Sequence, residues 1–256
     1  MHHALIDHLA CGNTLIHRLD ARVKLLVTLA LSVFVLGIDP RRSGALWACA
    51  IWPFTILVLG QVPLRFAVRQ IALVSPFVLV LAAANVWYGR QEVPVRFGPF
   101  EWQTTTGVLR SAVVIGKFIV TMAALIGLAA TTRFGDLIAA LGRLGVPRVL
   151  VTQLGFLYRY IFLLIHRADH VLEARSARKL RYIGAVREVR TAGAMIGALF
   201  VSSLDTADHV SHAMQARGFD GRMQSLRPMR LKTADGVYAT AFIAYLAALW
   251  TLLGGL

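Results

Sequence analysis

Two runs without a single charge dominate the first third of the chain. Twenty-two residues between Arg42 and Arg65, and 20 between Arg69 and Arg90, contain no Lys, Arg, Asp or Glu. A helix needs about 20 apolar residues to cross a bilayer core, where no water is present to satisfy a non-helical backbone. A chain with two such runs is expected to be an all-α integral membrane protein. Composition agrees: 57% of residues are hydrophobic and 16% charged, with a mean hydropathy of +0.64, which excludes a single soluble domain.

Five segments read as spans: about Val23 to Ile38, Gly44 to Val62, Ile71 to Gly89, Val108 to Thr131, and Gly236 to Leu253. The first has only 14 uncharged residues, from Leu25 to Ile38, and becomes long enough when Lys24 snorkels to the interface. Lys117 lies inside the fourth, where a charge costs roughly 2.5–3.5 kcal/mol on insertion scales. It is expected to face protein or a water-filled crevice, with a functional role left open. Cys11 and Cys49 have no paired spacing, and no cleavable signal peptide is expected ahead of the first span.

The 27 Lys and Arg outnumber the 13 Asp and Glu, and 16 of the basic residues fall between Thr132 and Lys232, beside only 7 acidic ones. Placing that region inside gives a strong positive-inside bias and an internal N-terminus. The expected organisation is a tail and four spans in 1–131, a cytoplasmic coupling region in 132–232, and a last span in 233–256. Such a basic excess suits anionic lipid or an acidic protein partner; nucleic acid ranks lower, because no soluble basic domain stands apart.

Within 132–232 the pattern predicts a short amphipathic helix from Phe134 to Leu144, ended by Gly145 and Pro147. A long helix follows from Arg148 to about Arg181, and another from about Arg187 to Arg217. Gly193 and Gly197 form a small-xxx-small pair, suggesting that the two long helices cross there. Gly218, Gly221 and Pro228 break the chain before the last span.

Catalytic signatures are absent: no HExxH, no GxxxxGK[ST] loop and no GxSxG elbow, and Gly116-Lys117 sits in an apolar span without the preceding glycine. Three sets of residues resemble metal ligands: His2, His3 and His8; His166 and His170; and Asp205, Asp208, His209 and His212. Their helical spacing is equally that of a polar stripe making i,i+4 contacts, and no metal or other cofactor is expected. Arginine placement is more informative. Arg175, Arg178, Lys179 and Arg181 crowd the end of one long helix, and Arg217 ends the other, ahead of Gly218. Cations at helix C-termini complement the macrodipole, and equally make plugs for acidic grooves on a partner.

The run from Ala213 to Gly221, Ala-Met-Gln-Ala-Arg-Gly-Phe-Asp-Gly, resembles the second Ala-Arg-Gly signature of the T component, the transmembrane coupling subunit of energy-coupling factor transporters. His17-Arg-Leu-Asp-Ala-Arg-Val-Lys-Leu25 is similar to that family's lead into its first span, with Ala21 where proline is common. The first Ala-Arg-Gly signature is degenerate, and Ala174-Arg175-Ser176, Ala177-Arg178-Lys179 and Leu180-Arg181-Tyr182 compete for it. The resemblance implies membrane spans plus two long crossing coupling helices. It also implies a multi-pass protein of the bacterial inner membrane that transmits the motion of two cytoplasmic ATPases to a small substrate-capture membrane subunit. Ala216, Arg217 and Gly218, with Arg175, Arg178 or Arg181, are then the ATPase-coupling residues. The cobalt and nickel branch is most similar, so the implied cargo is Co2+, with Ni2+ next. The rival readings are a membrane-embedded lipid- or prenyl-modifying enzyme, disfavoured by the sparse carboxylates, and an autonomous channel or secondary transporter, for which no internal repeat is found.

Overall fold

The computed structural model describes residue 12 and residues 14–39, 44–89, 92–97, 100–178, 184–221 and 232–252. It has eight helices among these residues: α1 (Ala21–Gly37), α2 (Gly44–Leu59), α3 (Leu64–Tyr88), α4 (Thr106–Thr131), α5 (Phe134–Arg143), α6 (Arg148–Arg178), α7 (Ala185–Ala216) and α8 (Thr233–Leu252). The chain divides into two compact units, one of Met1–Ala140 with Pro228–Leu256 and one of Leu141–Arg227.

In the first unit α4 is the hub, packed against α1, α2 and α3, while α8 closes on α1 and α2. Val27, Leu31, Val35 and Ile38 repeat every three to four residues and form one buried stripe of α1. They meet Leu46 and Cys49 of α2, Val113, Val120 and Ala124 of α4, and Phe242 and Leu249 of α8. Leu26, Leu29, Val33 and Leu36, on the other side of α1, are exposed. A helix apolar on all sides with only one side covered is what a hydrocarbon solvent selects.

Close approach fixes the α3–α4 pair. The Gly107 N–H donates to Gly89 O at 3.2 Å, and a Cβ on Gly107 would stand 2.5 Å from Asn85 O. One turn on, the Ser111 hydroxyl lies 2.7 Å from Ala82 O of α3, which satisfies it inside the contact. On the α2–α8 side, Trp52 packs against Tyr238, Phe242 and Tyr245, and the Tyr245 hydroxyl donates to Ala48 O.

Three helical stretches are long and apolar enough to cross a membrane, Leu64–Trp87, Thr106–Thr131 and Arg148–Arg178, and Leu46–Leu59 is a shorter apolar one. The third adds to the reading above, which assigned residues 132–232 to the polar half as a block. The 16 basic residues averaged over that block conceal the apolar first part of α6, whose window has mean hydropathy 1.5. Helix α3 starts at Leu64, behind Pro63, and takes in Arg65 and Arg69, several residues ahead of the expected start. Between α3 and α4 the all-helical pattern is interrupted by a small antiparallel hairpin, β1 (Glu92–Phe97) and β2 (Phe100–Thr105), with Glu92 opposite Thr105 and Phe97 opposite Phe100. Six-residue strands are too short to leave a clear periodic signal beside spans of 25 residues.

Candidate coupling site

The second unit is built on α6 and α7, which run antiparallel: Thr152 and Phe156 of α6 face the segment just beyond α7, and Arg175 faces Glu188 at its start. Midway, the Arg167 guanidinium donates to Thr206 Oγ1 at 2.6 Å, with Ser202 O at 3.4 Å. The helices therefore meet through Arg167, not through Gly193 and Gly197. A Cβ at either glycine would meet nothing within 4 Å, so the small-residue crossing expected there is not formed within this unit. The spacing was right for close packing, but the apolar positions of α7 that turn toward α6 are Ala207, Val210 and Met214. They line a cavity of about 530 Å³ together with Phe156 and Tyr160.

The end of α7 is a Schellman motif. The Phe219 N–H donates to Met214 O at 3.0 Å and the Gly218 N–H to Gln215 O at 3.0 Å, with Gly218 at φ +76°. That left-handed step is available to glycine at little steric cost, so Gly218 closes the helix. Phe219 then turns back onto Phe156, ring centroids 6.3 Å apart and edge to face, and Thr152 Oγ1 lies 3.4 Å from Gly221 O. Ala216, Arg217 and Gly218 are left exposed on a helix end held from both sides. The three residues lie at a helix end as expected, and the two rings that anchor it, Phe219 and Phe156, have no counterpart among the expected site residues. Aromatic residues in an apolar helix carry no local mark of a long-range partner.

At the other end, Arg175 is half-buried, its Nη2 3.7 Å from Glu188 Oε2 across the helix pair. Arg178, one turn on, is exposed, and Arg181 lies outside the described residues. Macrodipole complementarity favours all these cations at a C-terminus, but Arg175 is already occupied by a carboxylate.

No group of three or more His, Cys, Asp or Glu able to hold a metal ion occurs among the described residues. His209 Nδ1 lies 2.6 Å from Asp205 O of its own helix, and His170 pairs with Glu173 at i,i+3. His2, His3 and His8 lie outside the described residues.

Apolar helices around a hub helix, joined in one chain to a long antiparallel helix pair with a capped basic end, define a multi-pass membrane protein. The family model described as cobalt transport protein matches residues 12–227. The chain therefore belongs to that family, the CbiQ proteins, transmembrane coupling components of energy-coupling factor transporters. It is similar to the energy-coupling factor transporter transmembrane protein EcfT of Thermosediminibacter oceani, 26% identical over 91% of this chain and 90% of that one. It is also similar to the cobalt transport protein CbiQ of Rhodobacter capsulatus, 29% identical over 88% and 89%. A putative ABC transporter ATP-binding protein of Bifidobacterium longum is 27% identical over 94% of this chain but only 32% of its own length, so a segment like this one occurs inside a larger polypeptide of that name. The chain is a transporter component and not an enzyme, which removes the lipid-modifying alternative, and it works with ABC-type ATPases.

Proposed function

We propose that the basic ends of α6 and α7 are the two points at which cytoplasmic ATPases grip this subunit, that residues 132–232 form the coupling region, and that the cargo delivered through a separate small capture subunit is Co2+. The observation that carries this reading is the exposed Arg217 on a helix end fixed by the Gly218 cap and the Phe219–Phe156 contact. A cation held on a rigid end transmits displacement; one on a frayed end does not. Arg217 fills one ATPase groove. Arg178 fills the other, because Arg175 already pairs with Glu188. Arg181 is the remaining candidate. Names of relatives support cobalt as the cargo, and the capture subunit follows from the family resemblance.

Driving the cycle requires that each arginine be held differently in the open and closed ATPase dimers, since a contact of equal strength in both states shifts nothing. The test is Arg217→Glu in the assembled transporter. The variant chain inserts normally, recovers less ATPase on purification and loses ATP-driven Co2+ uptake. Unimpaired uptake by that variant would exclude the assigned role.

A further inference from the structure

The first unit contains a charged assembly that the proposed contacts do not use. Asp20 caps α1 by accepting from the Arg22 N–H at 2.9 Å, and its own N–H donates to Asp235 Oδ1 at 2.7 Å. The second oxygen of Asp235, Oδ2, accepts from the Lys232 N–H at 2.7 Å, the reach-back bond of a capping box at the start of α8. Lys24, one turn into α1, donates from Nζ to Thr131 O at 2.9 Å, the last residue of α4. Asp235 is 2% exposed and Lys24 4% exposed. Asp136, Asp235 and Asp20 supply the negative charge around the ammonium. Polar groups so thoroughly removed from water need hydrogen-bond partners, and here both side chains find them on the backbone of other segments.

The position of these bonds along the chain is informative. The first unit is interrupted once: it leaves for the second unit after Ala140 and resumes at Pro228. Thr131 closes the last span before the departure, and Lys232 and Asp235 open the first helix after the return. Both connections are thus tied to the same few residues at the start of α1, across sequence separations of 107 and 215 residues.

We propose that Lys24 and Asp235 are positioning residues for energy coupling. With Asp20 they pin the end of α4 and the start of α8, between which the coupling segment is inserted, to the start of α1. Displacement of that segment then reaches the spans through the start of α1. This inference rests on the coupling reading above. It adds that transmission depends on a polar tie remote from the arginines, and it gives a physical task to the Asp-x-Arg-x-Lys run of residues 20–24.

The test uses the chain purified with its own ATPase and capture subunits and reconstituted in vesicles. ATP hydrolysed and radiolabelled Co2+ imported are measured side by side. Lys24→Met and Asp235→Asn assemble and hydrolyse ATP at a rate close to that of the parent. ATP consumed per ion imported rises several-fold. Lys24→Arg, which can still reach a carbonyl, restores most of the ratio. A ratio that stays at the parental value while hydrolysis and import fall together, or import that is unchanged, overturns the proposal. Failure of both variants to assemble assigns the tie to folding alone and overturns it equally. Import by the parental complex in the same vesicles tests the coupling reading itself, so the two failures are distinguishable.

Discussion

Lys117, in the middle of α4, donates from Nζ to Ile38 O at 2.7 Å, and the same ammonium reaches Leu36 O at 2.8 Å. A span-embedded lysine thereby closes the C-terminal end of α1, where unpaired carbonyls and the negative pole of the helix dipole coincide. The charge that looked expensive in an isolated span is compensated by a neighbouring helix that lacked donors of its own. Lys117 has a structural task that needs no substrate.

Removing it exposes that task. Lys117→Met is expected to destabilise the chain by about 1–3 kcal/mol, the cost of leaving the carbonyl of buried Ile38 without a donor. The readout is a lower midpoint of thermal unfolding in detergent, with ATP-driven uptake per folded molecule retained. Lost uptake at unchanged stability would instead give Lys117 a direct part in transport.

The glycines divide by what surrounds them. Gly107→Ala places a methyl 2.5 Å from Asn85 O and 2.8 Å from Gly89 O, both backbone atoms that cannot swing away. Overpacking of this kind costs about 1–3 kcal/mol. Gly193→Ala and Gly197→Ala meet open space, and each gains up to about 1 kcal/mol of helix propensity. Unfolding midpoints of the three variants should therefore fall for the first and hold or rise for the other two.

Gly218 combines open space with a constrained backbone. A side chain there meets nothing within 4 Å, but φ is +76°. Gly218→Ala should cost about 1–2 kcal/mol through the left-handed conformation alone, while Gly218→Asn, better tolerated in that region, costs less. ATPase recovered with the purified subunit should follow the same order, since the cap orients Arg217. Equal recovery for both variants would separate the cap from the contact.

The competing arginines separate by substitution. Arg178→Glu should lower ATPase recovery sharply. Arg175→Ala removes a partly exposed ion pair of the kind worth about 0–1 kcal/mol and should lower recovery little. Quantitative pull-down of the ATPases measures both. A larger loss from Arg175→Ala would transfer the groove contact to that residue.

Local features were legible before any coordinates. Uncharged runs of 20 and 22 residues mark apolar helices because length and solvent decide them together, and Gly145 and Gly218 mark helix ends because backbone geometry decides those. The Ala216, Arg217 and Gly218 end of the candidate site belongs to this class. Partner choice was not legible. Lys117 with Ile38, Lys24 with Thr131 and Asp20 with Asp235 are separated by 79, 107 and 215 residues. Nothing in the pattern around any of them identifies its mate. Glu188 meets Arg175 only because α6 and α7 lie antiparallel, and a Cβ at Gly193 or Gly197 meets nothing within 4 Å among the described residues. Sequence by itself determined the long uncharged runs and the glycine-closed helix ends, since those depend on neighbours within a few turns. Tertiary structure alone decided which buried charge answers which, because compensation in a low-dielectric interior depends on distance in space.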